Sequence, residues 1–200
     1  MFEVAMSSLW NRRGSVLLTL ASLTISMAIV IGVEHVRSQA EDSFVRTVSG
    51  VDLLVGARTS QINLLLYSVF RIGNATNNIR WQSYQDIAAR EEVAWSIPFS
   101  LGDSHRGFRV LGTSDDYFEY FRYGDSQPLR MAQGERFTGP LHAVLGSEVA
   151  QSLGYQVGDE IVLAHGIGNT SFVNHDNMPF TVTGILATTG TPVDRTVHVS

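Results

Sequence analysis

The sequence predicts an α+β protein with one N-terminal transmembrane helix, a helical stalk and an external domain of mixed helices and strands. Two observations support this prediction. Residues 14–33 contain no ionisable group, and a helix of that length spans about 30 Å, the thickness of a bilayer's hydrocarbon core. After residue 50, short apolar runs alternate with Gly-, Asn- and Asp-containing turns, as in a domain of short strands and helices.

Composition excludes several classes of chemistry. The 200 residues carry 14 basic and 19 acidic side chains, for a net charge of −5; every basic residue is Arg and there is no Cys. Without Lys, these residues contain neither a P-loop ATPase site nor a Schiff-base lysine. Without Cys, they contain no disulfide, thiol nucleophile or Cys-ligated metal. An acidic chain with scattered Arg does not favour a nucleic-acid partner.

The charges around residues 14–33 predict the orientation of the transmembrane helix. Arg12 and Arg13 precede it, and residues 34–200 carry 12 Arg against 18 acids. The positive-inside rule therefore places the N-terminus in the cytoplasm and the chain after about residue 34 outside. The alternative is a cleaved signal peptide ending near 38–40, but the apolar run exceeds the usual length of about 7–15 residues.

Helical patterns flank the transmembrane segment. Residues 1–13 predict a cytoplasmic amphipathic helix, with a disordered start as the alternative; its apolar positions are Phe2, Ala5, Met6, Leu9 and Trp10. Residues 34–50 predict a stalk helix ending near Ser49 and Gly50, with an apolar stripe at Val36, Ala40, Phe44 and Val48. We expect this stripe to face a neighbouring helix.

The external domain, residues 51–200, contains short predicted elements. Strands are predicted at 51–55, 93–101, 107–111, 143–145, 161–163, 180–186 and 195–199. Helices are predicted at 60–70, 83–89, 114–121 and 147–153, with Ser83 and Ser114 as caps and Gly154 closing the last helix. Residues 102–105 predict a hairpin turn and 165–177 the longest loop. The chain ends in an apolar, strand-like run, so we expect a longer natural protein.

Three patterns resemble chemical sites only superficially. Ser104 and Ser126 each close a Gly-Asp-Ser triplet like that of some esterases, but both triplets are interpreted as turns. Gly166 and Gly168 begin a G-x-G-x-x-G pattern whose last position is Ser171, so no dinucleotide loop is predicted. The aromatic residues Tyr117, Phe118, Tyr120, Phe121 and Tyr123 are interpreted as core rather than as a ligand platform.

The candidate metal ligands are His142, His165, His175 and Asp176. None of them shows the i, i+2 or i, i+4 spacing of a preformed site, so exposed loop histidines are the simpler interpretation. The sequence does not decide whether His142, His165 and His175 bind metal. No catalytic, cofactor-binding or metal-binding residue is therefore predicted, and no cofactor.

The order of features resembles one family. A short N-terminal segment, a membrane helix, a stalk and an α+β domain with the stretches 110–118, 144–163 and 180–195 are similar to the MacB/FtsX-type permeases of bacterial ABC systems. The resemblance implies a non-catalytic subunit in the bacterial inner membrane, with residues 51–200 as a two-lobed periplasmic MacB-like core domain. One lobe, roughly residues 106–177 and rich in β-structure, would be inserted in the other.

The resemblance also implies partners and a mechanism. Such permeases have three further membrane helices, work as dimers and use an ABC ATPase, here on a separate chain. ATP hydrolysis would drive export or extraction of a substrate on the periplasmic side; the substrate itself stays open. The alternative is a single-span, membrane-anchored periplasmic sensor or binding domain. An anchored periplasmic enzyme is favoured least, because no catalytic constellation is evident.

The orientation can be tested with topology reporters. Because Arg12 and Arg13 precede the uncharged segment, reporter fusions at Gly50 and at Gly154 should both give a periplasmic signal. The measurement is the paired activity of a periplasm-active and a cytoplasm-active reporter at each position. A cytoplasmic signal at either position would contradict the orientation.

Overall fold

The computed structural model describes residues 10, 12–74, 77–165 and 178–200, without the side chains of 40–46 and 165. Residues 1–9 and 11 of the predicted amphipathic helix 1–13 and the loop residues His175 and Asp176 lie outside this description. The chain divides into two compact units, Met1–Ser43 and Phe44–Ser200. A mixed α+β domain follows an N-terminal apolar helix, which confirms the predicted fold class.

Helix α1 runs from Arg13 to Thr47 without interruption. Among the described residues it is the one helix long and apolar enough to cross a membrane, over Arg13–Gln39, and its most apolar 18-residue window has a mean hydropathy of 2.4. Both threonines of the apolar segment bond within the helix: the hydroxyls of Thr19 and Thr24 donate to the carbonyls of Ser15 and Leu20, at 2.9 and 2.8 Å. Such bonding lets Thr lie in an apolar surrounding without an unpaired donor.

The segment after α1 differs from the sequence prediction. Residues 51–60 form neither helix nor strand, and Leu53 is 76% exposed. The prediction of a strand at 51–55 is wrong because no neighbouring strand pairs with this apolar run. Helix α2, Gln61–Ser68, is confirmed, and the Ser60 hydroxyl accepts the amide N–H of Asn63 at its start.

Helix α3, Trp81–Ala88, begins two residues before the predicted cap Ser83, which lies inside the helix. The N-cap position belongs to Arg80, which makes no side-chain capping bond. A pair four residues apart stabilises the helix instead, the Gln82 amide donating to the Asp86 carboxylate at 3.1 Å. The cap prediction is wrong because a capping-type residue is also tolerated within a helix.

The remaining elements belong to the sheet domain. The helices are α4 (Asp116–Tyr120), α5 (Ser147–Leu153) and a 3-10 turn (Pro192–Arg195). The strands are β1 (Ser100–His105), β2 (Phe108–Gly112), β3 (Arg122–Tyr123), β4 (Gln127–Pro128), β5 (Met131–Gly134), β6 (His142–Leu145), β7 (Glu160–Ile161), β8 (Ala164–His165), β9 (Phe180–Leu186) and β10 (Thr196–Val199).

Eight of the described strands form one sheet. Its order is β5-β9-β6-β10-β2-β1-β8, with β7 also paired to β9. The pairs β6–β9 and β10–β2 are parallel and the others are antiparallel. Strands β3 and β4 form a separate hairpin. The sheet includes strands from both sides of residue 106, and the inserted lobe at 106–177 stays a prediction.

The first hairpin is present, but its turn lies later than predicted. Residues 102–105 belong to β1, and the chain reverses at Arg106 and Gly107, whose φ angles are 48° and 87°. Two successive left-handed residues match the twist of paired strands. The prediction placed the turn on the Gly-Asp-Ser triplet because Arg is not a typical left-handed residue.

Other local predictions are confirmed. Helix α5 has the predicted bounds and ends at Gly154, whose φ is 73°, and β9 has the predicted bounds as well. Helix α4 is also present, but its N-cap position is Asp115 rather than Ser114. The Ser114 hydroxyl donates to the Asp116 carboxylate at 3.2 Å.

The two faces of the sheet carry two hydrophobic clusters. Val149 of α5 packs with Ile161 and Val182 in the first cluster. The second contains Tyr117, Phe118 and Phe121, which confirms three of the predicted aromatic core residues. Tyr120 is half-buried and stacks on Trp95 at 5.5 Å, and the partly buried Tyr123 packs against the second cluster.

His198 lies fully buried in the central strand β10. Its Nδ1 donates to the Val144 carbonyl at 3.2 Å, and its ring stacks on that of Tyr117 at 5.1 Å. Burial lowers the pKa of His198 from 6.5 to about 3, and the charge of Arg71 acts in the same direction. The folded state therefore holds this imidazole neutral.

We expect His198 to make the domain acid-sensitive. Its folded pKa lies below its unfolded pKa, so its contribution to stability is complete above pH 6.5 and is lost as the pH falls towards 3. From pH 6.5 to 4.5 it should remove about 2–3 kcal/mol from the free energy of unfolding. Urea unfolding should show a weaker loss over this range for His198→Phe, whose ring cannot titrate. Equal losses in the two proteins would contradict this expectation.

Candidate coupling site at the end of helix α1

The C-terminal end of α1 is anchored in the sheet domain. Thr47 is buried, and the half-buried Val48 packs against the cluster that contains Tyr117 and Phe121. We expected Val48 to face a neighbouring helix, but it packs against the domain's own core. Of the other predicted stripe residues, Val36 is exposed, and the side chains of Ala40 and Phe44 are outside the described part.

A backbone bridge fixes the next residue. Ser49 pairs antiparallel with Arg122 of β3, and its amide N–H donates to the Arg122 carbonyl at 2.9 Å. The hydroxyl oxygens of Ser49 and Ser126 are 3.2 Å apart. Two bonds of different type therefore hold one residue against the β3–β4 hairpin, and they set its register as well as its distance.

The receiving side is built from α4 and the β3–β4 hairpin, residues 116–128, which we call the socket. The hairpin turns tightly, with left-handed φ angles of 54° at Gly124 and 58° at Ser126. The Arg122 guanidinium donates back to the carbonyls of Glu119 and Phe121, at 2.6 and 3.0 Å. This satisfies carbonyls at the end of α4 and ties the helix to the hairpin.

Aromatic packing joins the socket to the centre of the sheet. The Tyr117 ring lies 4.8 Å from Phe121 and 5.1 Å from His198 of β10, and Phe118 lies 5.0 Å from Phe137. Tyr117 is fully buried. Each buried ring contributes about 1.5–3 kcal/mol relative to exposure. The end of α1 therefore contacts the same aromatic cluster that packs on the central strands.

The serines of the esterase-like triplets have structural surroundings. Ser104 lies in β1 and is 3% exposed, and Ser126 belongs to the socket turn. The turn interpretation is confirmed for Ser126 and wrong for Ser104. A buried strand serine does not present its hydroxyl to a substrate.

The histidines are distributed as follows. His142 begins β6, where its Nδ1 accepts the amide N–H of Thr138 at 3.3 Å. His165 ends β8, and its side chain is not described. Within the described ranges, no three His, Cys, Asp or Glu side chains form a group that could hold a metal ion. His142 therefore belongs to no such group among the described residues.

Comparison with known proteins identifies a family. The family model described as MacB-like periplasmic core domain matches residues 16–200, nearly the whole chain. The match begins inside α1 and includes the socket and the whole described sheet. A search of curated proteins finds no match.

The contact between Ser49 and Ser126 can be tested by cross-linking. The chain has no Cys, so Ser49→Cys with Ser126→Cys introduces one possible intramolecular disulfide. Hydroxyl oxygens 3.2 Å apart allow sulfurs to reach the S–S distance of about 2.05 Å after small side-chain rotations. Mild oxidation should remove both free thiols of the double variant, as measured by maleimide labelling. The two single variants are the controls, and a double variant whose thiols stay reactive would contradict the socket.

Proposed function

The chain belongs to the MacB-like periplasmic core domain family, an ABC-transporter-type permease family, and from this premise we propose that it couples ATP hydrolysis by a separate ATPase to substrate movement on the periplasmic side. These 200 residues contain no Lys and therefore no P-loop, which needs this residue on the nucleotide phosphates, so the ATPase site would lie outside them. The subunit itself would be non-catalytic. The observation that carries the proposal is the anchoring of Val48 and Ser49 in the socket.

The proposed coupling element is the part of α1 after the apolar segment. Residues 33–47 contain neither Gly nor Pro, and α1 is helical throughout this stretch. Sharp helix kinks occur almost always at Pro, Gly or inserted groups. A displacement that reaches residue 33 would pass along this stretch to Ser49 with little loss to bending, and the socket would pass it to the sheet.

The proposed setting is the bacterial inner membrane, with the N-terminus in the cytoplasm and the chain after about residue 34 in the periplasm. The charge distribution around Arg12 and Arg13 supports this orientation. Large apolar side chains of α1 are exposed on the single chain, among them Leu18, Val30 and Val36. Lipid and the helices of a second permease subunit would cover them, so we propose a dimer.

Coupling can be tested by softening α1. Replacing Gln39 and Ala40 by Gly-Gly costs about 1–2 kcal/mol of helix stability and introduces a hinge before the socket. We expect insertion and ATPase association to persist while ATP hydrolysis no longer drives transport. The measurement is transport per ATP hydrolysed in reconstituted vesicles containing the permease and its ATPase.

The matched control is Gly-Gly at Asn77 and Asn78, which are exposed and outside any helix or strand. This control adds the same two glycines without touching α1 and should keep wild-type coupling. Transport at the wild-type rate in the Gln39–Ala40 variant would show that the helix is only a tether. The external domain would then act as a docking or sensing surface.

A further inference from the structure

Arg71 is a buried arginine that forms no salt bridge with an acidic side chain of the described residues. It follows α2 in a left-handed backbone conformation, with a φ of 59°, and is 8% exposed. One guanidinium nitrogen, Nη2, donates to the Tyr117 hydroxyl at 3.3 Å, and the guanidinium carbon lies 5.2 Å from the centre of the Phe99 ring. An aromatic face attracts a cation but accepts none of its N–H groups in a strong hydrogen bond.

Two other nitrogens of Arg71, Nε and Nη1, are buried and have no hydrogen-bond partner within residues 12–74, 77–165 and 178–200. Together they carry three N–H donors. In the described part of the chain, no salt bridge involves Arg71. An arginine cannot escape this situation by losing its proton, and a buried, unpaired ion is strongly unfavourable. The position therefore favours a further acceptor, preferably one with a negative charge.

The charged surroundings strengthen this conclusion. Arg109 is half-buried, and this burial lowers the pKa of Arg109. The nearby positive charge of Arg71 lowers it further. Arg109 donates to the carbonyl of Gly73. Burial raises the pKa of Tyr117, and the negative charge of Asp194 raises it further. The carboxylate oxygens of Asp194 accept the amide N–H groups of Thr189 and Gly190 at 2.8 and 2.7 Å. Two cations thus lie close together while this carboxylate is bound elsewhere.

We propose that Arg71 anchors a carboxylate-binding site, in which the incoming carboxylate accepts N–H groups from Nε and Nη1 next to the Tyr117 hydroxyl. Ile72 and Gly73, which follow Arg71 in the chain, are exposed, so the backbone beside Arg71 reaches the surface. Arg109 adds a second positive charge that attracts the ligand. The ligand is a single carboxylate, either on a small free acid or on the acidic side chain of a peptide.

The donors and the apolar wall of the site favour a carboxylate. The three N–H groups on Nε and Nη1 match the two oxygens of one carboxylate, and the Phe99 ring adds an aromatic wall that offers no donor. Tyr117 also packs against Phe121 of the socket. Tyr117 would therefore contact both a ligand at Arg71 and the aromatic cluster on which Val48, at the end of α1, packs. Binding of the ligand does not depend on the proposed transport function.

Thermal unfolding of the full chain in detergent tests the site. The probes are sodium acetate and a capped Gly-Glu-Gly peptide, with sodium chloride at equal ionic strength and capped Gly-Gln-Gly as matched controls. At ten times its Kd, a carboxylate probe should raise the Tm of the wild-type protein by about 3–6 °C. The response should vanish in Arg71→Met and Arg71→Gln and persist in Arg130→Met, since Arg130 is exposed.

The outcomes separate the sources of the ligand. A rise with acetate alone supports a site for small free acids, whereas a rise with the Glu peptide supports an acidic polypeptide. Two results would overturn the proposal: no carboxylate-specific rise in the wild-type protein, or the same rise in a folded Arg71 variant. The Arg71→Gln variant keeps an amide donor but loses the charge. It provides a second test of the site if the Arg71→Met variant does not fold.

Discussion

The buried ring of Tyr117 connects the parts of the external domain that the proposed coupling requires to move together. It contacts Phe121 of the socket, His198 of the central strand and the guanidinium of Arg71. Packed interiors are nearly incompressible, so a ring that is enclosed on all sides shifts only together with its neighbours. The socket, the central strand and Arg71 are thus coupled by contact at one side chain rather than through a flexible loop.

Local sequence signals predicted elements whose determinants lie within a few residues. Helix α5 and its end at Gly154 followed from a helical run and a residue that tolerates a left-handed φ. Strand β9 followed from a run rich in β-branched and aromatic residues, and its second half becomes buried in the sheet. Prediction failed where strand formation depends on a neighbouring strand that is distant in sequence. Residues 51–55 have a strand-like composition, but they pair with no strand of the described residues.

The candidate site was less predictable than the fold. Ser49 and Ser126 are separated by 77 positions, and neither has a composition or spacing that indicates contact. The strands of the socket hairpin have two residues each, too short to give a period-two pattern. The aromatic cluster of α4 did signal a buried core, but not that the end of α1 packs against it. Arg71 gave no signal either, because burial of an arginine is a property of the tertiary structure.

In the proposed coupling, the position of Gly50 explains how the attachment of α1 to the socket can be stiff although an irregular segment follows it. A hinge weakens transmission only when it lies between the moving element and the element that it drives. Gly50 has a left-handed φ of 70° and leads into residues 51–60, which form no helix or strand, but it follows Ser49. The backbone bond from Ser49 to Arg122 is therefore reached before the chain becomes irregular. In the proposed coupling, force carried by α1 would enter the socket through this bond and through Val48, and the irregular segment 51–60 would lie outside the path.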